Sequence, residues 1–206
     1  IMLSLIAKKQ LSANIYEFVF KPSERLAFKA GQYLEWTLPQ VFFESRGNRR
    51  YFTVASSPTE PEIRLGVRVS EDGSQFKRNL LAMSASDTLT ASQLSGQFTL
   101  PSDPKEKLVF IAGGIGITPF RSMAKYLTDT KERRDIILIY SCVGAKDFVY
   151  MDIFKAAESI GWKTSYLVTD PKLAIEGMAC ETGYLTPELL RKLVPDLSER
   201  SFYLSG

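Results

Sequence analysis

Leu108-Val-Phe-Ile-Ala-Gly-Gly-Ile-Gly-Ile-Thr-Pro-Phe120 is the stretch on which the reading of this chain turns. Its apolar first half reads as a buried parallel strand, 108–112. The run breaks at Gly113, Gly114 and Gly116, and Thr118-Pro119 follows as an N-cap and first helical residue. Phe120, Met123, Ala124 and Leu127 then keep the spacing of one helix face, which predicts a helix over 118–129. Strand, glycine turn and helix N-terminus together make an anion site, where backbone N–H groups and the helix dipole meet a phosphate. The plainer reading is a glycine turn that only lets a helix pack closely on its strand. No Lys-Ser/Thr follows the glycines, which argues against a triphosphate P-loop. The spacing also departs from the usual dinucleotide fingerprint, with Thr118-Pro119 in place of its last glycine.

Downstream, strands and helices alternate. Strand 135–141 leads to a helix near 147–159, and strand 164–169 follows. Thr186-Pro187 caps another helix, and Phe202-Tyr-Leu204 reads as a last, buried strand. That series predicts a parallel sheet with helices on both faces. Ligands of such sheets bind at the carboxyl ends of the strands. Here those ends are Gly113–Pro119, Ser141–Val143, Thr169–Asp170 and Ser205–Gly206.

Upstream, the first hundred residues read as short strands. Ile15, Phe18 and Phe20 lie in a β-rich run, and Gly31–Leu38 alternates. Glu62–Ser70 alternates strictly, with Ile63, Leu65, Val67 and Val69 on one face. Such strands predict an antiparallel sandwich or small barrel. One short helix interrupts them, capped at Asp72-Gly73-Ser74, with Phe76, Leu80 and Leu81 or Met83 inward. Ser74, Lys77 and Arg78 in its first turn offer a second anion site; an ordinary capped surface helix is the alternative. Arg49-Arg-Tyr-Phe-Thr-Val-Ala-Ser56 puts two arginines before a β-rich run. This suits a phosphorylated planar ligand, unless Arg50 is an edge charge and Phe52 a core residue. Proline-interrupted residues 102–107 separate a domain at 1–101 from one at 108–206.

The chain has 206 residues, 45% hydrophobic, with a net charge of +3, two cysteines and no histidine. The charge is too small and dispersed to argue for nucleic acid. No apolar run approaches a membrane span. Two cysteines cannot hold an iron–sulfur cluster, and without histidine there is no His-based metal site or triad, so no metal is expected. Cys142 and Cys180 suggest a reducing compartment, the cytoplasm or the cytoplasmic part of a membrane-attached protein. A start at Ile1 and an end on Ser205-Gly206, within an expected strand-to-turn junction, suggest a piece of a longer protein truncated at its C-terminus.

A β-barrel followed by an α/β half that opens with Gly-Gly-x-Gly-x-Thr-Pro resembles the ferredoxin–NADP reductase superfamily. Gly31-Gln32-Tyr33 is similar to its Pro-Gly-Gln-Tyr, with Ala30 for the proline. Arg50-Tyr51-Phe52-Thr53 resembles its Arg-x-Tyr-Ser/Thr flavin motif, with Phe52 where tyrosine is usual. Gly73-Ser74-Gln-Phe76-Lys77 resembles its flavin-pyrophosphate helix, and Leu204-Ser205-Gly206 the start of its terminal Cys/Ser-Gly-Pro motif.

The resemblance implies a flavin-dependent NAD(P)H oxidoreductase that passes hydride to flavin N5 and electrons to a separate or fused acceptor. Arg50 would pair with a flavin phosphate, Phe52 would lie against the ring and Thr53 would sit near N5. Gly73, Ser74, Phe76 and Lys77 would hold the second phosphate of FAD, favoured over FMN. Gly113, Gly114, Gly116, Thr118, Pro119, Ser141, Ser205 and Gly206 would hold the nicotinamide nucleotide, with Thr118 nearest the hydride. The loop Ser141-Cys-Val-Gly-Ala-Lys-Asp147 lacks the arginine that NADPH users commonly place there, which favours NADH. The alternative is a flavin-binding electron-transfer or regulatory module that does not itself oxidise NAD(P)H.

Overall fold

The computed structural model describes residues 1–39 and 47–206. Six strands form an antiparallel sheet: β1 (Met2–Gln10), β2 (Ile15–Pro22), β3 (Tyr33–Thr37), β4 (Arg49–Thr53), β5 (Ile63–Arg68) and β6 (Thr88–Ser95). Their order is β4-β3-β6-β1-β2-β5. The sheet curls like a barrel but stays open between its end strands, β4 and β5. Just past β4, Ala55 N–H donates to the Arg64 carbonyl at 2.9 Å, and the Ser56 hydroxyl accepts from Arg64 N–H at 3.1 Å. The expected barrel is therefore a barrel with a seam.

The strict alternation of β5 places Ile63, Leu65 and Val67 in the core with Phe18, Phe20, Leu34 and Trp36. Arg64, Gly66 and Arg68 fall on its other side, because successive side chains of a strand point to opposite faces. Helix α1 (Gln75–Ala82) buries Phe76 and Leu80 against the same core.

The second half is a parallel sheet of β7 (Lys107–Gly113), β8 (Ile136–Cys142), β9 (Trp162–Val168), β10 (Glu181–Thr182) and β11 (Arg200–Ser205), ordered β10-β9-β8-β7-β11. Helices α2 (Thr118–Thr130) and α3 (Met151–Ala157) cover one face, over Phe110, Leu138 and Tyr140. Helix α4 (Pro187–Leu193), capped by the Thr186 hydroxyl, covers the other over Val109, Ile137 and Ile139. Leu11, Ile15, Ala30, Phe98 and Leu100 from the first hundred residues pack into the α2/α3 core. Among the described residues, no helix is long and apolar enough to cross a membrane.

Three local expectations change. Thr118 is not an N-cap: Gly114–Ile117 forms a 3₁₀ turn that runs straight into α2, so Thr118 is already helical (φ −57°, ψ −43°) and Ile117 holds the cap position. The helix expected near 147–159 is shorter, because Phe148 is extended and Tyr150 is left-handed (φ 62°) before α3 begins. Strand β11 is an edge strand rather than a buried one. Its Tyr203 packs on Phe98 and Phe110, whereas Phe202 and Leu204 are 39% and 66% exposed on the opposite face.

Candidate active site

The outward positions of β5 form the joint between the two halves. Arg64 pairs with Glu17 of β2 at 2.8 Å and with Glu60 at 3.1 Å. Glu60 in turn takes Arg121 of α2 as a two-pronged partner, one prong at 2.9 Å, and Arg121 also donates to the Ala55 carbonyl at 3.0 Å. Ser122 of α2 donates to the Ser56 carbonyl at 2.6 Å. Burial alone would raise the Glu60 carboxyl; the Arg121 hydrogen bond and charge outweigh it and hold Glu60 below the usual carboxylate value. Arg121, 4% exposed, also lies over the Tyr150 ring, 5.7 Å from its centroid.

The glycine turn lies at the carboxyl edge of the parallel sheet, against the end of β5. Gly114 is left-handed (φ 51°), and a side chain on it would begin 3.2 Å from the Arg68 guanidinium. Gly116 has a different reason to lack a side chain: a Cβ there would lie 2.6 Å from Gly206 Cα and overlap the Ser205 carbonyl. Backbone packing against β11, the plainer reading of the turn, accounts for Gly116. Gly113 pairs with Ser141 across β7 and β8 and touches Gly206 on its other side. Thr118 is 7% exposed and carries its methyl to the position above Gly66. The structure thus brings Gly113, Gly114, Gly116, Thr118, Ser141, Ser205 and Gly206 to one edge, with Pro119 buried in the first turn of α2.

A second locus borders the open seam. Arg50 of β4 lies 5.4 Å from the Phe76 ring centroid, and Phe52 is 5.9 Å from the same ring. Phe52 also packs on the barrel core, so it is in part a core residue. Ser74 caps α1 by accepting from Lys77 N–H at 3.4 Å, and Gly73 N–H closes the preceding turn on the Ser70 carbonyl at 2.8 Å. Burial first, then Arg68 and Arg50, hold the Lys77 ammonium below its usual pKa. The first turn of α1 therefore lies within the field of Arg50 and Arg68 as well as carrying Lys77. Tyr51 does not join this locus: it is 57% exposed on the other face of β4, where its hydroxyl donates to Glu35 at 2.9 Å. Strand alternation sets Thr53 on the Tyr51 side as well.

Sequence reading missed Arg68, the cation common to both loci. Its Nε is buried and, among the described residues, unpartnered. Its signal was its position on the strictly alternating strand, two residues past Gly66 on the outward face. Cys142, at the end of β8, is buried, and burial pushes its thiol up to about 11. It is a core filler rather than a thiolate.

Residues 110–206 match the family model described as oxidoreductase NAD-binding domain. The crystal structure of Amycolatopsis cytochrome P450 reductase GcoB superposes over 99% of this chain and 61% of its own, with a TM-score of 0.82 at 24% identity. That of a ferredoxin NADP⁺ reductase from Neisseria gonorrhoeae with bound FAD and NADP does so over 99% and 83%, with a TM-score of 0.78 at 19% identity. The chain thus has the fold of the ferredoxin–NADP reductases, and its second half matches an NAD-binding domain of oxidoreductases. Among curated members, NADH oxidoreductase HCR of Escherichia coli K12 is 29% identical over 183 residues, 87% of this chain and 52% of that protein. The chain spans about half the length of the first curated relatives it matches.

Proposed function

We propose that this chain is the nucleotide- and flavin-binding part of a flavin-dependent NAD(P)H oxidoreductase, taking hydride from NAD(P)H and handing electrons to a separate or fused acceptor. The observation that carries the proposal is Arg68: it meets the glycine turn at Gly114 and depresses Lys77 beside α1, so two anion sites flank one cation. The residues fit the groups the fold family carries. The unpartnered Arg68 Nε and the left-handed Gly114 suit a nucleotide pyrophosphate; Arg50, Lys77 and the Ser74-capped helix suit a flavin phosphate and favour FAD over FMN.

Bound flavin supplies the chemistry, accepting two electrons and releasing them one at a time. The chain's own part is alignment. Phe52 offers a ring edge beside the seam, and Thr53, whose side chain lies on the Tyr51 face, offers its backbone N–H at the end of β4. Thr118, buried at the joint, holds the nicotinamide side. No residue is asked to move a proton, and the network of Glu17, Arg64, Glu60 and Arg121 keeps the two halves in one register.

NADH is favoured over NADPH. Beyond Ser141 and Val168, the strand ends carry exposed Val143, Leu173 packed 3.1 Å from the Cβ position of Gly144, and the carboxylates of Asp147 and Asp170. A 2′-phosphate would meet no arginine in the 141–147 loop, only Lys146 and Lys172, each beside a carboxylate, Asp147 and Asp170. The free thiols of Cys142 and Cys180 support a cytoplasmic setting.

The test is anaerobic mixing of the flavin-loaded protein with each nucleotide while flavin absorbance is followed. Bleaching by NADH, at least about tenfold faster than by NADPH, is expected for one lost charge-assisted contact. No bleaching with either overturns the proposal, and mass analysis of the released flavin separates FAD from FMN.

A further inference from the structure

We infer that Gly66 is the socket for the Tyr150 hydroxyl and that this joint fixes Thr118 against the flavin site. The inference rests on the proposed hydride transfer. Gly66 has no backbone reason to be glycine, since it lies within a regular strand and has no left-handed φ. Its reason is space. A Cβ there would lie 2.9 Å from the Tyr150 hydroxyl, 2.9 Å from the Thr118 methyl and 3.5 Å from Ile115 Cδ1. Three side chains of the nucleotide-binding half thus converge on one missing side chain of the barrel half.

Tyr150 is held firmly for this role. It is left-handed, with φ 62°, so its backbone is committed before α3 starts. Arg121 lies over its ring and is itself clamped to Glu60. The hydroxyl is buried beside the Glu17 carboxylate, with no partner at full hydrogen-bond geometry among the described residues. Glu17, the cross-strand partner of Gly66, also keeps one oxygen, Oε1, buried and unpartnered. Burial and the neighbouring Glu17 charge keep the phenol protonated far above the usual range, so it acts as a neutral wedge. The wedge bears on the same few ångströms as Thr118. Any displacement at position 66 therefore bears on Thr118 in the first turn of α2, while Ile115 of the glycine turn stays at ordinary contact distance. Tyr150 and Gly66 are positioning residues in this sense.

The experiment uses the flavin-loaded chain and the variants Gly66→Ala, Tyr150→Phe and the two combined. Three quantities are read: the NADH hydride-transfer rate by stopped flow, ADP-ribose affinity by calorimetry, and hydrogen exchange of residues 117–121 in flavin-free protein. Gly66→Ala is expected to slow transfer at least about tenfold, because displacements of an ångström carry such losses. ADP-ribose affinity and flavin content stay unchanged, and exchange at 117–121 rises. Adding Tyr150→Phe removes one of the two colliding groups and restores about threefold or more of the rate, a coupling expected of residues in contact. If Gly66→Ala does not fold, Tyr150→Phe alone is expected to slow transfer about two- to fivefold and raise the same exchange. Unchanged rate and exchange in the foldable variants, or no recovery in the double variant, overturns the inference. If the unmodified protein transfers no hydride, the proposed function fails instead. The exchange of 117–121 then still decides whether position 66 controls Thr118.

Discussion

Two single residues behave differently from their chemical type. Cys142 stands at the edge of the glycine turn, where a reactive thiolate would be tempting, yet burial raises its pKa to about 11 from an ordinary 9.0. A folded pKa above the unfolded one means the stability contributed is complete below about pH 9 and is lost as pH climbs toward about 11. Melting temperature is therefore expected to fall over that window, by a few degrees more in the native chain than in Cys142→Ala. A pH series of thermal melts checks it, and equal slopes would contradict it. Arg68 is the opposite case, a charge hidden on a strand that looks like an ordinary alternating one. Arg68→Met should weaken ADP-ribose binding about tenfold or more, the loss of a charge-assisted hydrogen bond, with little change in unfolding free energy. Calorimetry and urea denaturation read the two effects separately. The behaviour of Arg68 was not legible in sequence, because it depends on what the second half of the chain lays over the first.

At the scale of elements, periodicity carried the reading far. The alternation of Ile63, Leu65, Val67 and Val69 identified β5, and the run ending at Gly113 identified β7 with the helix behind it. Periodicity says which residues share a face; it is silent on what covers that face. Arg64, Gly66 and Arg68, on the other face of that alternation, form the joint. Phe202 and Leu204 read as core and stand exposed on an edge strand. For the same reason Tyr51 and Phe52, neighbours in one motif, separate onto opposite faces of β4. The glycines of the turn were legible as glycines but not by role. Gly116 answers to β11, so Gly116→Ala should cost about 1–3 kcal/mol, as overpacking against fixed backbone does. Urea unfolding measures that cost, and faster hydrogen exchange along β11 should accompany it. A neutral Gly116→Ala would show that β11 yields more easily than its contact with Ser205 and Gly206 implies.

For the whole molecule, the two-half architecture was readable from the change between strand-rich and alternating segments near residue 101, and the open seam was not. Closure depends on whether β4 and β5 meet, which strand lengths and turns do not reveal. The halves meet through a charge network that balances two carboxylates, Glu17 and Glu60, against Arg64 and Arg121. Removing one member leaves a buried charge short of a partner. Arg121→Met should therefore cost about 3 kcal/mol, at the low end for a buried pair because Arg64 still holds Glu60 at 3.1 Å. The wild-type chain should unfold in one calorimetric transition and the variant in two, since the joint is what makes the halves cooperate. Two transitions in the wild type would refute that coupling.

The outward face of β5 also limits how such proteins can be recombined. Three alternate positions on one strand carry the ion-pair anchor, the proposed phenol socket and the cation that lies between the two candidate anion sites. A chimaera that joins this barrel to a foreign nucleotide half would keep both folds and lose the fit between them. Transplanting Arg121, Tyr150 and the Gly114 turn along with the new half is the smallest exchange that keeps lock and key together.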